Sequence, residues 1–366
     1  MENRKHRKQI ITLSILATAA GGIWLFSRRN DLVEQLYSQS FYPLISKVLR
    51  TGFGWIPFSA GDLLYAALII YFVRQFIKLI TIIRKRSYGS LNIQSILRRF
   101  IIRILLLYII FNILWGLNYD RRGIAFQTGI SQEKYTKEAL LHITGLLVKE
   151  VNTCREGMRR QANSYTGNQL LFKKACDAYQ SAAAYYPFLQ YRHKSVKTSF
   201  FGLAGNYLGF SGYYNPFSGE AQVNTTIPVF LRPYVVCHEI AHQLGYAKEN
   251  EANFAGFLVA TASGDTAFMY SAYLDLFLYA NGNLRRTDSA AAKIFLQQLS
   301  PAVKEDILVM KAFYKKYENP VEPVITWIYS RYLESNRQPS GMLSYSEVVA
   351  YLISYYKKYG KISGGK

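Results

Sequence analysis

The stretch Cys237-His238-Glu239-Ile240-Ala241-His242-Gln243-Leu244-Gly245 has the spacing H-E-x-x-H. On a helix, residues four apart share a face, so His238 and His242 direct their imidazoles at one metal ion. Glu239 lies about 100° round the helix from His238, placed to reach a water at that metal rather than to replace a ligand. Such an arrangement activates water for attack on a carbonyl. A zinc site of this kind needs a third protein ligand and one open position. No histidine follows His242, so the third ligand is sought among carboxylates or upstream. The nearest candidates, Glu249 and Glu251, lie beyond Gly245, which can take the left-handed conformation that ends a helix and lets the chain turn back. Two residues apart on one helix, they point about 200° away from each other, so only one faces the histidines.

His238-Glu239-x-x-His242 followed by Glu-x-Glu-Ala-Asn resembles the zincin metallopeptidases, in particular the gluzincin-type branch whose third ligand is a glutamate on the next helix. In that branch the ligand opens a Glu-Ala-Asp or Glu-Ala-Asn run, which here is Glu251-Ala252-Asn253. The resemblance therefore implies Zn2+ held by His238, His242 and Glu251, with Glu239 as general base. Glu249 would be a solvated acid of the first turn. The metzincin pattern is excluded, because Lys248 stands where its third ligand belongs. The chain is also similar to an uncharacterised bacterial membrane family with three N-terminal spans and an H-E-x-x-H domain. That similarity is carried by residues 56–65, 212–221 and 238–254.

The 366 residues leave room for two units, and half of them are apolar. A mean hydropathy near zero is high for a purely soluble protein. The formal charge of +21 would suit nucleic acid, yet much of it flanks apolar runs, which is the membrane pattern. Nucleic acid is therefore not expected as a partner, and a lipid bilayer is. Cys154, Cys176 and Cys237 show no metal-ligand spacing. Cys154 and Cys176 are either one disulfide or two isolated buried thiols.

Apolar runs at about 10–26, 63–83 and 100–117 predict three transmembrane helices in a membrane anchor over 1–118. Basic residues at 4–8 and 84–99 place both segments in the cytoplasm. The remainder, 119–366, is then an extracytoplasmic domain at a bacterial inner membrane. It reads as mainly α: helices near 132–149, 168–184, 248–262, 266–280, 287–298, 301–317, 321–335 and 344–358, besides the metal helix. A small β element precedes that helix, with alternation over 220–224 predicting a strand. In the resembling peptidases an edge strand at this place pairs with extended substrate; a hairpin that only packs against the metal helix is the alternative.

These readings converge on a membrane-anchored zinc metallopeptidase acting on a polypeptide substrate. A catalytically silent zincin-fold sensor or scaffold, and a zinc amidase of cell-wall material, are the competing classes. Tyr213, Tyr214, Tyr270 and Tyr273 are candidate oxyanion donors, undistinguished among thirty tyrosines.

Overall fold

The computed structural model describes residues 2–84, 93–131, 133–160 and 167–365. It begins with α1 (Glu2–Ser27) and α2 (Asn30–Leu32), which runs on as a π-helix over Val33–Phe41, then α3 (Tyr42–Gly54), α4 (Ala60–Arg84) and α5 (Ile93–Leu114). A 3-10 turn at Gly116–Asp120 leads to α6 (Gly123–Thr128), α7 (Lys137–Arg160) and α8 (Asn168–Ala183). Next come β1 (Val196–Thr198), α9 (Gly202–Leu208), β2 (Gly212–Asn215), β3 (Glu220–Val223), α10 (Arg232–Gln243) and α11 (Glu249–Ala262). The chain closes with α12 (Thr266–Thr287), α13 (Ser289–Gln298), α14 (Pro301–Tyr317), α15 (Glu322–Ser335), a 3-10 segment Gly341–Glu347 and α16 (Val348–Tyr359). The fold is mainly α with one small sheet, as the sequence predicts.

Among the described residues, two helices are long and apolar enough to cross a membrane, over Arg7–Ser27 of α1 and Ala60–Ile82 of α4. The third expected span falls on α5, where Arg98, Arg99 and Arg103 crowd the first half and the helix stops at Leu114. What remains uncharged is short, and the helix packs along α1. The basic loop expected to be cytoplasmic lies, over 85–92, outside the described residues. So does Gln132, where the next helix is expected to begin. That helix starts later than expected, at Lys137, where the Thr136 hydroxyl accepts from Ala139 N.

A single large core sits where α7, α8, α10, α11, α12 and α16 meet. α11 is its axis: Glu249 through Thr261 are all buried, as a helix enclosed by others requires. Cys154 and Cys176 are free buried thiols in this core. The sheet has the order β1-β3-β2, with β1 parallel and β2 antiparallel to β3. The expected strand is therefore present, but as the centre of the sheet rather than an edge. The edge strands are β1 and β2.

Residue 118 is not a boundary of packing. Val33, Tyr37 and Tyr42 form a second small core with Trp115, Leu117, Tyr119 and Ala247, so the connection between α1 and α4 belongs to the same body as the metal helix. Glu220 of β3 closes the start of α4 by accepting from Ala60 N and Gly61 N.

Candidate metal centre

Pro233 opens α10, where a missing N–H costs nothing and its fixed φ suits the first turn. The helix ends at Gly245, whose φ of +86° is left-handed. Gly245 N donates to His242 O and Tyr246 N to Ala241 O, the paired bonds of a Schellman motif. This turn has a chemical product. It brings the Tyr246 carbonyl back to His242 Nδ1 at 2.7 Å, which fixes the proton on Nδ1 and leaves the Nε2 lone pair facing inward.

α11 then starts at Glu249 and packs closely on α10: a Cβ on Gly256 would lie 3.1 Å from His238 N. Glu249, Asn253 and Gly256 fall at i, i+4 and i+7, one face of a helix. That face carries Glu249 to the histidines. Its Oε2 lies 3.2 Å from His238 Nε2 and 3.5 Å from His242 Nε2, and His238, His242 and Glu249 offer ligand atoms within 4.8 Å of one another. Glu249 Oε1 accepts from Tyr329 Oη at 2.7 Å and Glu249 N donates to Gln338 Oε1 at 2.8 Å, so backbone and carboxylate are both held.

All of this is buried, and the charges respond. Burial opposes charge on His238, but the Glu249 carboxylate and Glu239 outweigh it and raise the imidazole to about 9. Burial raises the Glu239 carboxyl to about 7 against the pull of both histidines. Burial pushes Glu249 up as well, yet the two histidines hold it well below the ordinary carboxylate range. Glu249 Oε2 and Glu239 Oε2 nevertheless have no hydrogen-bond partner. Two imidazole nitrogens and one carboxylate oxygen converging without hydrogen bonds between them are a donor set that fits Zn2+.

The sequence-predicted residues separate here. His238, Glu239 and His242 come together. Glu251 does not join them: its carboxylate packs against Gly123, where a Cβ would lie 2.1 Å from Oε1, and reaches Lys248 Nζ at 3.4 Å. The preference for Glu251 over Glu249 is corrected, because the side of α11 that meets α10 is that of Gly256, which Glu249 shares and Glu251 does not. Nor is Glu249 a solvated acid. Among the candidate oxyanion tyrosines, Tyr270 is bonded to Asp306, Tyr214 packs on Trp115, Tyr273 is in the core, and Tyr213 donates to Asp62. The tyrosines at the centre are Tyr329 and Tyr345, whose ring stacks over His238 at 6.3 Å. Burial and Glu249 raise Tyr345 well above its usual value. No local pattern in the sequence distinguishes either of them.

Segments far away in sequence hold the carbonyl end of α10. Trp115 Nε1 donates to His242 O, and the Tyr42 and Ser46 hydroxyls donate to Gln243 O. Arg121 Nη1 donates to Gly245 O, while its Nη2 pairs with Glu34 at 2.8 Å. On the other flank, Gln243 Nε2 donates to Ser195 O and Gly219 O, locking the sheet to the helix. Gly212, first in edge strand β2, abuts Glu239 so closely that a Cβ would lie 2.5 Å from its Oε1.

Fold and site together define a mainly helical protein with a buried His-His-Glu centre and a carboxylate base candidate beside it. The chain belongs to the DUF3810 family, described as a protein of unknown function, whose pattern matches residues 37–353. The match takes in α4, both segments that hold the end of α10, and the centre itself. No curated protein and no solved structure matches the chain.

Proposed function

We propose that this protein is a membrane-anchored zinc metallopeptidase. The observation that carries the reading is the convergence of His238, His242 and Glu249, with the buried carboxyl of Glu239 next to them. A zinc ion held by those three residues would supply Lewis acidity towards a water and a substrate carbonyl. Glu239 takes a proton from the attacking water at its unpartnered Oε2 and returns it to the leaving amine. Tyr345, kept protonated, donates towards the oxyanion. Because Asn224 N bonds Ser211 O, alternation along the antiparallel pair turns the N–H and C=O of Gly212 and Tyr214 away from β3. A polypeptide lying along β2 would pair with those groups beside Glu239.

In this reading α1 and α4 cross the bacterial cell membrane. The basic start of α1 and Arg84 at the end of α4 lie at the ends away from the metal centre, which supports a centre outside the cytoplasm. α5 returns the chain in this reading with Arg98, Arg99 and Arg103 towards the cytoplasmic end and only its second half apolar, since Ser59–Asp62 at the start of α4 and Trp115–Arg121 after α5 both touch the site body. Reporter fusions at residue 90 and at the C-terminus should report opposite sides; the same side for both would overturn this topology.

Full-length protein carrying Glu239→Gln should keep its zinc and lose at least about a hundredfold in turnover of a mixed peptide library. Unchanged turnover would remove Glu239 from the role, and a wild-type chain that binds no zinc would remove the metal reading.

A further inference from the structure

α15 has two unlike faces. Inward, Tyr329 holds Glu249 and Leu333 is buried. Outward, Val321, Val324, Trp327 and Ile328 form a helical stripe, the last three being 54%, 60% and 52% exposed. Arg331 continues the stripe, its guanidinium 5.7 Å from the Trp327 ring. A soluble surface does not ordinarily keep such a contiguous apolar stripe bare.

What the stripe adjoins is specific. The Tyr332 hydroxyl lies 3.1 Å from that of Tyr119, just past the end of α5. At its start, α15 is tied to α9, where Asn319 Nδ2 donates to Tyr207 O at 2.7 Å. α9 is in turn tied to α4, because Phe200 N donates to Asp62 Oδ2 and the Phe200 ring lies 6.4 Å from Phe58. α15 thus lies beside the first turns of α4 and the last turn of α5. Phe58 and Phe200 extend the apolar surface between them, at 45% and 58% exposure.

Two further tryptophans are exposed at helix ends. Trp24 is in the last turn of α1 and Trp55 shortly precedes α4, both exposed, so they mark the ends of the membrane-length helices nearest the metal centre. Tryptophan favours the boundary between headgroups and acyl chains. An amphipathic helix with aromatic and aliphatic residues on one side and arginine at its edge is suited to lying in that boundary.

We propose that the outward face of α15 is seated in the outer surface of the bilayer that α4 enters, so that the helix holding Glu249 is itself a lipid-contacting element. This rests on the reading of α4 as a membrane-crossing helix. The metal centre then lies one helix thickness from the lipid, and the substrate class that fits is a polypeptide anchored in the membrane or emerging from it.

The native cysteines are buried, so single introduced cysteines can be labelled with an environment-sensitive fluorophore in the full-length chain. Val324→Cys and Ile328→Cys probe α15, Ile69→Cys probes α4, and Lys293→Cys, at an exposed position of α13, is the aqueous control. In nanodiscs of brominated phosphatidylcholine and phosphatidylglycerol, the α15 labels should lose about half their emission or more and resist aqueous iodide. The Lys293 label should do the reverse. Iodide quenching of the α15 labels matching that of Lys293 overturns the proposal. So does quenching by neither agent, which would mean that a protein covers the face. If the Ile69 label also escapes the brominated lipid, the membrane-crossing reading of α4 has failed; if Ile69 alone is quenched, only the α15 proposal has. None of these outcomes depends on bound metal or on turnover.

Discussion

Glu249 and Glu251 are both buried carboxylates on one helix, and their surroundings give them opposite consequences on removal. Glu249 faces two imidazoles and is oriented by Tyr329. Glu249→Ala should weaken zinc binding by about a hundredfold or more, read by competition titration with a chromophoric chelator. Glu251 packs on Gly123 and Lys248. Glu251→Ala should keep zinc affinity within a few-fold and lower the melting temperature instead, as loss of a buried charged partner does. Strong zinc retention by the Glu249 variant would sink the assignment. The sequence made His238, Glu239 and His242 legible because an i, i+4 pair depends only on helix geometry. The third position depended on which side of α11 meets α10. Gly256 decides that by its packing, and no spacing rule reads it.

Between residue and molecule stands the π-helix Val33–Phe41, whose Glu34 carries the charge balance at the end of the metal helix. Glu34 accepts from Arg121 Nε, Arg121 Nη2 and Arg122 N. Burial works to raise its carboxyl, but these donors prevail and hold it below its ordinary 4.5. A carboxyl lowered on folding stabilises the folded state above its unfolded value, and that stability is lost as pH falls through the folded one. Wild-type protein should therefore lose melting temperature steeply below about pH 4.5, while Glu34→Gln should begin lower and show a shallower acid limb. An acid limb unchanged by the substitution would place the sensitive group elsewhere. Breaking the pair from the other side, Arg121→Met leaves a buried carboxylate unpaired and should cost about 3–5 kcal/mol. Most regular helices were legible in their apolar spacing, and α10 also in Pro233 at its start. The π-helix was not, since its stability comes from Arg121 and Tyr42, both outside it. The centrality of β3 was equally hidden, because alternation predicts a strand but not its neighbours.

At the scale of the whole molecule, the apolar runs gave the long helices directly, whereas residues 28–60, assigned with them to a membrane anchor, pack as part of the site body. A soluble fragment comprising 119–366 lacks Glu34, Tyr42, Ser46 and Trp115. Its metal helix would end in bare carbonyls and its small second core would be missing. Expressed alone, it should fail to show a cooperative thermal transition and should bind zinc at least about a hundredfold more weakly than the full chain. A fragment that melts cooperatively and binds zinc like the parent would refute this. The same bonds bear on the life of the protein in its cell. In the membrane topology proposed above, the stretches between and after the apolar helices form the floor of the site, through Tyr42, Ser46 and Trp115. A proteolytic cut there would destroy the site instead of releasing it, so the proposed activity would stay confined to the membrane surface.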